Sequence, residues 1–475
     1  MSCLDYNHKP INVPMMVATL IVGVFITVLN QTLLTTALPT LMATFRVGQS
    51  TVQWLTTGFL LVNGIMIPLT AYLSDRFSAR RLYLAALGIF IAGTVIALVA
   101  PTFGLLLTGR LVQAVGVGIS LPLLQALLLA LFPPEKRGMA MGLAGIAIGV
   151  APAIGPTLSG WILASFGWRA LFGLILPVAV VVLLAAMVFV RDLLPTTDAK
   201  LDWLSLALSV TGFFCLLFGF SLMGTLGIAS ARVWESLLVG LILVVAFFKR
   251  QLTLKQPFLH VEILKNRTFR RSTLLVACTN MAMIACELIL PMYLQLVLGK
   301  TALQSGLILF PGALISLVLG PIAGIIYDRH GIKHLARIGF LLLAGGTLPF
   351  LWLATTTPTW WVTLWYTLRM AGVSLVMMPL TTNAMNTLPK RLIGHGTAVN
   401  NTLRQVATSM TTALTVTILA DVNGAASPAA LAGYHVAFGF TMLIALLGLL
   451  LAWHLTQALK VVPQSATQSA HTHHA

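Results

Sequence analysis

The chain has 475 residues, of which 58% are hydrophobic and only 8% are charged, and its mean hydropathy is +0.96. Soluble domains carry about 25% charged residues, so the composition excludes a soluble globular protein and predicts an integral membrane protein. The formal net charge of +17 would suggest nucleic-acid binding in a soluble protein. In a membrane chain, basic residues serve first as topology signals, and we expect no nucleic-acid partner.

Apolar runs long enough to cross a bilayer, about 20 residues each, recur along the whole chain. In chain order they predict fourteen transmembrane helices at 13–38, 50–73, 81–100, 103–130, 138–163, 169–190, 202–222, 233–250, 272–298, 303–327, 335–354, 359–385, 396–420 and 435–457. The runs lack the period of two that transmembrane β-strands show, so the predicted fold class is an all-α polytopic membrane protein. The first run continues without a small-residue cleavage site, and no cleavable signal peptide is expected.

Basic residues are distributed unevenly between the connections. Of the 28 Lys and Arg residues, 21 lie on one side of the predicted membrane, while the other side holds only Arg46, Arg169, Arg232 and Lys300. The remaining three, Arg110, Arg369 and Arg404, fall inside apolar runs. The positive-inside rule therefore predicts a plasma-membrane protein with both termini in the cytoplasm.

The chain repeats itself. The segment 68-PLTAYLSDRFSARRL-82 resembles 321-PIAGIIYDRHGIKHL-335, with Asp75 and Asp328 separated by 253 positions. Two similar halves form the architecture of many secondary transporters. We expect an N-terminal six-helix half at 1–190, two additional helices with cytoplasmic linkers at 191–271, a C-terminal six-helix half at 272–457 and a disordered cytoplasmic tail at 458–475.

Motifs for metal or enzyme chemistry are weak. Cys3, Cys215, Cys278 and Cys286 have neither disulfide nor metal spacing. The tail "ATQSAHTHHA" holds three histidines, and a metal site there is the weaker alternative to plain disorder. Without a nucleotide loop, a metal cluster or a nucleophile motif, we expect no enzyme activity, no resident metal and no cofactor.

Several segments resemble signatures of the major facilitator superfamily. "AYLSDRFSARRL" is similar to its cytoplasmic helix 2–3 signature, with Ala71 and Ser78 in place of two glycines. "LTGRLVQAVGVG" resembles the helix 4 signature around Arg110, and "GLAGIAIGVAPAIGPTLSG" resembles the helix 5 antiporter signature. "LNQTLLTTALP" and "PFLHVEILKNRTFRRS" look like the fourteen-helix drug:proton antiporter branch, which includes quaternary-ammonium and lincomycin exporters. The resemblance implies the major facilitator fold, with two six-helix pseudo-repeats and two extra helices between them.

The same resemblance implies roles for two groups of residues. A conformational latch that joins the two halves at the cytoplasmic side would use Asp75, Arg76, Arg80, Arg81, Asp328 and Arg329; the alternative is helix capping or local pairing. A kinked helix at the interface between the halves would use Gly142, Gly155, Pro156 and Gly160; the alternative is ordinary close packing by small residues.

Glu287 is the one acid of eleven that falls deep inside an apolar run. It shares a helical face with Asn280, and an ionisable group at membrane depth costs roughly 2.5–3.5 kcal/mol, which favours a functional role. Asn30 lies 17 residues after Val13 and Glu287 lies 15 residues after Ser272, so their depths are expected to agree within about 3 Å. We predict that Glu287 carries protons opposite Arg369, with Arg110 as the counterpart of Arg369 in the first half. A structural carboxylate satisfied by a neighbour is the alternative.

The predicted function is proton-coupled efflux of small amphipathic drugs or lipophilic compounds across the plasma membrane by alternating access. The proton gradient would supply the energy, and the expected partners are substrates, protons and the lipid bilayer around a monomer. The substrate-cavity candidates are Asn30, Gln31, Thr32, Gln113, Asn280, Asn400, Asn401, Arg404 and Gln405. A facilitator or importer of a metabolite with the same fold is the first alternative, and a non-transporting sensor or enzyme is the second.

Overall fold

A computed structural model of the chain describes residues 11–34, 37–193, 196, 201–423 and 430–455. The α-helices of the described part are α1 (Val13–Leu33), α2 (Leu38–Phe45), α3 (Gln49–Val52), α4 (Trp54–Arg76), α5 (Ala79–Leu98), α6 (Phe103–Leu131), α7 (Arg137–Phe166), α8 (Arg169–Phe189), α9 (Trp203–Leu226), α10 (Ala231–Thr253), α11 (Arg267–Met292), α12 (Ala302–His330), α13 (Ile332–Thr347), α14 (Thr359–Met385), α15 (Ile393–Asn423) and α16 (Leu431–Trp453). Short 3-10 turns at Pro134–Lys136, Val261–Lys265, Leu348–Trp352 and Lys390–Leu392 and a π turn at Tyr293–Val297 complete the elements.

Eleven helices within the described residues are long and apolar enough to cross a membrane. Helices α7, α14 and α15 do not count among the eleven, although they have 30, 27 and 31 residues. Helices α14 and α15 carry polar side chains such as Arg369 and Asn401, which are buried against neighbouring helices. The fold is therefore an all-helical, multi-pass membrane protein, and the number of fourteen crossings stays a prediction.

The long helices associate in two groups and a pair. We call α1 and α4–α8 the first helix group, and α11–α16 the second helix group. The groups meet along α7 with α12 and along α4 with α15. Helices α9 and α10 pack against each other, and α9 also contacts α4 and α15. The pair therefore lies beside the seam between the groups.

Small residues set the closest helix contacts inside each group. A Cβ atom added at Gly109 of α6 would lie 2.7 Å from the backbone nitrogen of Ala97 in α5. A Cβ atom at Gly372 of α14 would lie 2.6 Å from the carbonyl oxygen of Gly339 in α13. Glycine lets membrane helices approach this closely, and the two contacts hold equivalent helix pairs of the two groups.

The expected segment bounds differ from the helix ends at two places in the described residues. Helix α11 begins at Arg267, inside the segment 191–271, because the Asn266 side chain caps it by accepting from Thr268 N and Phe269 N. The apolar run 13–38 is divided between two helices: α1 ends at Leu33, and α2 begins at Leu38, with Pro39 in its first turn. The tail at 458–475 lies outside the described residues.

Candidate functional site

Glu287 lies at a local break in α11. Pro291 lies within the same helix and the π turn at Tyr293–Val297 follows directly. Because proline has no N–H, the helical hydrogen bond to the carbonyl of Glu287, four residues earlier, cannot form. The side chain is half-buried, and within the described chain it makes no hydrogen bond or ion pair. Glu287 is thus an unpaired carboxyl group within a membrane helix, next to the kind of irregular turn that often marks functional sites.

Arg369 of α14 is fully buried beside α11. Its Nε atom donates to Thr347 Oγ1 at 3.0 Å, and its Nη2 atom donates to the carbonyl oxygen of Ala282. Arg369 interacts electrostatically with Glu287, but the expected direct ion pair is not formed in this structure. Ala282 precedes Glu287 by five residues, about 7.5 Å along the helix, and the guanidinium is directed to that carbonyl instead.

Arg110 of α6, in the first helix group, is also fully buried. Its Nη1 atom donates to Gln113 Oε1 at 2.9 Å and to the Asn30 carbonyl at 3.5 Å, and its guanidinium lies 4.2 Å from the Phe59 ring centroid. Asn30 Nδ2 donates to Gln113 Oε1 at 3.2 Å, and Gln113 Nε2 donates to Thr94 Oγ1 at 2.8 Å. Asn30 is therefore a buried, neutral hydrogen-bonding residue.

The two arginines do not hold equivalent positions in the repeat. A Cβ atom at Gly346 would lie 2.7 Å from the backbone nitrogen of Arg369, and one at Gly93 would lie 2.6 Å from that of Gln113. The side chains of Arg369 and Gln113 also each donate to a threonine hydroxyl of the neighbouring helix. Gln113 is therefore the equivalent of Arg369, and Arg110 lies three residues before it.

The depths of Asn30 and Glu287 can be compared from the helix starts. Asn30 lies 17 residues after the first residue of α1, and Glu287 lies 20 residues after that of α11. The difference of three residues corresponds to about 4.5 Å, and the expected agreement in depth stays a prediction.

The candidates on α11 and α15 lie side by side. Asn280 Nδ2 donates to Thr408 Oγ1 at 2.6 Å and approaches the Arg404 carbonyl at 3.5 Å. The guanidinium of Arg404 is half-buried and makes no hydrogen bond or ion pair in the described part of the chain. The structure thus brings together Asn280 of α11, the helix that carries Glu287, and Arg404 of the neighbouring helix α15.

Other candidates join the two helix groups. Asn401 Nδ2 donates to Gln125 Oε1 of α6 at 2.7 Å, and Gln405 Nε2 donates to the Leu60 carbonyl of α4 at 3.4 Å. Asn400 is buried and its Oδ1 atom has no hydrogen-bond partner. Asn401 and Gln405 therefore act in this conformation as contacts between the groups.

Gln31 and Thr32 complete the set of candidates. Both side chains are half-buried at the end of α1. Thr32 Oγ1 donates to the Leu29 carbonyl at 3.0 Å, and the same atom would lie 2.2 Å from a Cβ added at Gly155. Thr32 therefore packs on α7 within its own helix group.

The centre between the groups is rich in methionine. A cavity of about 30 Å³ lies between α7, α11, α12 and α14 and is lined by Met283, Met370, Met377 and Met378, with Gly145 and Ser316 among the remaining residues. It has room for about one water molecule. Methionine side chains adapt their shape easily, so this region can repack when the helix groups move.

Asp75 joins the two groups at the end of α4. We call this membrane face the basic face, because the connection from α4 to α5 there carries Arg76, Arg80 and Arg81. Asp75 Oδ2 lies 3.0 Å from His395 Nε2, at the start of α15. His395 is only 2% exposed, so the contact is shielded from solvent on the histidine side.

The arginines beside Asp75 have other partners or positions. Arg80 binds within its own group, where its backbone N–H donates to Asp192 Oδ1 at 2.9 Å and its guanidinium donates to the Met187 carbonyl. Arg76 and Arg81 are exposed. Asp75 is therefore a member of this signature that the structure places across the seam.

Asp328 makes the equivalent contact from the second group. Its two carboxylate oxygens accept hydrogen bonds from the backbone N–H groups of Gly138 and Met139, at 2.8 and 2.9 Å, in the first turn of α7. A carboxylate is favourable at a helix N-terminus. Arg329 is exposed on the same turn. Asp328 therefore caps a helix and joins the groups at once.

The glycines of α7 have different surroundings. A Cβ atom at Gly142 would lie 2.5 Å from the Gly320 carbonyl oxygen of α12, in the seam between the groups. Gly155 packs on Thr32 of α1, and a Cβ atom at Gly160 would meet nothing within 4 Å. The side chain of Pro156 lies outside the described part. Of the three glycines, Gly142 is the one at the contact between the groups.

Sequence reasoning missed further residues at the basic face. His260 follows α10, and its ring packs edge-on against His395 with centroids 4.6 Å apart. Burial, followed by the neighbouring His395, lowers the pKa of His260. Arg137 Nη1 donates to Asn386 Oδ1 across the seam at 2.9 Å. The only available indication was that the repeat places Arg137 and His395 in the similar segments 131–142 and 387–398.

Groups of His, Cys, Asp and Glu able to hold a metal ion are not found within the described residues. The sequence profile of the Major Facilitator Superfamily matches residues 20–412. The chain is 45% identical over 454 residues to the uncharacterized MFS-type transporter YcnB of Bacillus subtilis (strain 168), covering 94% of this chain and 96% of the relative. It is 39% identical over 452 residues to the lincomycin resistance protein LmrB of the same organism, covering 92% and 94%.

The fold is also similar to that of a solved structure, the human organic anion transporter MFSD10 (TETRAN). The TM-score is 0.69 at 17% sequence identity, covering 94% of this chain and 100% of the other. At this identity the likeness concerns the fold alone. With a matched profile over most of the length and two long relatives above 30% identity, the chain belongs to the major facilitator superfamily.

Proposed function

We propose that this transporter is a drug:proton antiporter of the fourteen-helix branch, which exports amphipathic compounds across the plasma membrane. The basic face and both termini would lie toward the cytoplasm, in line with the positive-inside rule. The proton gradient would drive transport, without a bound cofactor, and the working unit would be a monomer. The relative named for lincomycin resistance supports a role in drug efflux.

The observation that carries the proposal is the unpaired carboxyl group of Glu287. Among the described acids, Asp75, Asp328 and Asp421 lie within three residues of a helix end and Glu235 lies in the second turn of α10, whereas Glu287 lies 20 residues after Arg267. Ionisable groups at membrane depth are costly and mark proton or substrate pathways. A carboxyl group without a fixed partner can gain and lose a proton as its access to water changes.

Alternating access supplies that change. In this structure the groups are joined at the basic face through Asp75 with His395 and through Asp328 with Gly138. With the basic face closed, Glu287 would take a proton from the exterior, and the substrate would be released to the exterior. After rearrangement, Glu287 would release the proton toward the cytoplasm, and a new substrate would bind. A ligand drives such a cycle only through different affinities for the two states.

The test is drug-dependent proton flux. The purified protein is reconstituted into vesicles that contain a pH-sensitive dye, and lincomycin, the compound in the name of one relative, is added under an imposed pH gradient. An antiporter releases protons down their gradient in proportion to the drug that it moves. Drug movement without proton flux would instead indicate a facilitator with the same fold.

A matched pair of variants identifies the carrier. Glu287→Gln keeps the size of the side chain but removes its exchangeable proton, and proton flux should stop. Glu235→Gln makes the same change at an exposed position of α10 and should leave flux intact. Equal flux in both variants and in the unmodified protein would refute Glu287 as the carrier.

A further inference from the structure

A second cavity is separate from the methionine-lined one, and the described lining residues of the two cavities differ. Its volume is about 400 Å³, and it lies between α4, α9 and α15, with Leu38 of α2 at one end and Leu288 of α11 also in its wall. We call it the side chamber. Sites for small molecules have volumes of about 300–1,000 Å³, so the side chamber has room for a compact drug-sized molecule.

Each of the three helices presents one face to the side chamber. Helix α9 contributes Leu217, Ser221 and Thr225, at intervals of four residues. Helix α4 does the same with Thr57 and Leu61, and α15 with Thr408 and Thr412. Residues at this spacing lie on the same side of a helix. Helix α9 belongs to neither helix group, so the chamber exists because the additional helices close this side of the seam.

The wall of the side chamber offers hydrogen bonds but no charge. Among the residues that the structure describes, its lining includes no acidic or basic side chain. The hydroxyl groups of Thr57, Ser221, Ser409 and Thr412 are half-buried and make no hydrogen bond in the part of the chain that the structure describes. Leu61, Phe220 and Val416 are among the apolar side chains of the wall. A half-buried hydroxyl group without a partner favours a ligand that supplies one.

We propose that the side chamber binds uncharged amphipathic molecules that carry hydroxyl or carbonyl groups. The apolar wall takes the hydrophobic body, and the four free hydroxyl groups pair with the polar atoms. A multiply charged ligand is disfavoured, because the wall provides no counter-charge for a charge removed from water. The identification of the bound molecule as transported cargo rests on the proposed function, whereas binding itself does not.

The chamber is connected to the candidate proton carrier. Leu288 lies in its wall and is the residue after Glu287. Thr408, also in the wall, accepts the hydrogen bond from Asn280, which shares the Glu287 face of α11. Because of these two contacts, a ligand in the chamber touches the segment of α11 that proton transfer would affect.

Equilibrium binding of radiolabelled chloramphenicol, which is uncharged and carries two hydroxyl groups and an amide, tests the proposal. The full-length protein is used in lipid nanodiscs without a pH gradient. Thr57→Val and Thr412→Val remove one hydroxyl group each at nearly constant size, and each should weaken binding roughly 2- to 10-fold, the effect of losing one hydrogen bond. Thr211→Val, on the exposed side of α9, is the control and should leave affinity unchanged.

A cavity-filling variant tests the location. A Cβ atom at Gly224 meets only Val416 at 3.9 Å, so Gly224→Leu can fill the chamber without a backbone clash and should abolish saturable binding. Gly439→Leu, at a glycine with nothing within 4 Å, is the matched control. Radiolabelled methyl viologen, a dication, should not compete with chloramphenicol.

Two results would overturn the proposal: no saturable chloramphenicol binding to the unmodified protein, or binding that Gly224→Leu and both valine variants leave unchanged. If these variants lose chloramphenicol binding and the unmodified protein shows no proton flux, the chamber is supported and the proposed antiport is rejected. If the unmodified protein shows proton-coupled efflux and the variants bind chloramphenicol as it does, the antiport is supported and the chamber is rejected. The size-exclusion profile of each variant in detergent shows whether it is folded.

Discussion

His395 Nε2 lies 3.0 Å from Asp75 Oδ2 and joins the start of α15 to the end of α4. Asp328 reaches the first turn of α7 in the same way, by accepting hydrogen bonds from Gly138 and Met139. The two acids are 253 positions apart in the repeat. Each helix group therefore extends one carboxylate to the N-terminal turn of a long helix of the other group, where negative charge is favourable.

We predict that Asp75→Asn weakens the closed basic face without unfolding the protein. Asparagine can still form a hydrogen bond to His395 but lacks the negative charge, so the closed state should lose roughly 0.5–1.5 kcal/mol. Spin labels at the exposed positions 77 and 390, in a background free of native cysteines, report the separation of the groups. The variant should show a larger population at long distance and slower transport.

The control for this prediction is Arg81→Gln, which changes a charge at an exposed position of the same connection. It should keep the distance distribution of the unmodified protein. An Asp75→Asn protein with an unaltered distribution and a full transport rate would count against the latch. If the latch exists, adding His395→Ala to Asp75→Asn should open the basic face little further, because both changes weaken the same contact.

Asp328→Ala should open the basic face more than Asp75→Asn does. It removes two hydrogen bonds to a charged carboxylate, each with an effect of about 1.5–3 kcal/mol, and leaves the N–H groups of Gly138 and Met139 without these acceptors. Asp328→Asn should be intermediate, since its single carbonyl oxygen can replace part of the contact. Hydrogen exchange at Gly138 and Met139 should rise in the order unmodified protein, Asp328→Asn, Asp328→Ala. The reverse order would contradict the capping role.

The sequence predicted the helices well where apolar runs end at polar or basic residues. The run 359–385 coincides with α14, and 103–130 falls one residue short of α6. The expected ends were less accurate near Pro39 and Asn266, where a cap or a proline decides the boundary. The two acids that join the helix groups could also be found from sequence, because both copies of the repeat carry them 253 positions apart.

The partners of these acids could not be found in the same way. His395 belongs to α15, 320 positions after Asp75, and periodicity contains no information about contacts between helices so far apart in the chain. The same limit applies to Arg369, which binds the Ala282 carbonyl rather than Glu287. A backbone acceptor has no residue type that the sequence could reveal. The side chamber depends on the position of α9, which composition does not determine.

The contact of Asp202 with Arg250 should make the packing of α9 on α10 sensitive to acid. Asp202 accepts from Arg250 Nε at 2.7 Å and from Nη2 at 3.0 Å, and this lowers the pKa of Asp202 from 3.8 to about 2. Because the folded pKa is the lower one, the stabilisation is present above about pH 4 and is lost as the pH falls toward 2. The melting temperature of the unmodified protein should therefore fall more steeply between pH 4 and 2 than that of Asp202→Asn. Parallel curves would contradict the argument.

Asn30→Asp should stabilise the protein. Arg110 makes no ion pair in the described chain, and its Nη2 atom has no hydrogen-bond partner. A carboxylate at position 30 would supply a counter-charge next to the guanidinium, which should add roughly 1–3 kcal/mol and raise the melting temperature in detergent. Asn30→Ala, which removes the hydrogen bond to Gln113, should lower it. A lower melting temperature for Asn30→Asp would show that Arg110 is already satisfied by its neutral partners and the Phe59 ring.

Glu287→Gln should abolish proton-driven efflux while leaving substrate binding measurable. Glutamine resembles the protonated acid in size and hydrogen bonding but cannot release a proton, so the variant should still exchange substrate down its own gradient. Glu287→Asp keeps a titratable group on a shorter side chain and should be partly active. Adding Asn30→Asp to Glu287→Gln places a carboxylate beside Arg110 and should restore part of the coupling, through the buried arginine of the first group. Vesicles with an internal pH dye measure all three variants, and full substrate-induced proton flux in Glu287→Gln would transfer the role to Asp75 or Asp421.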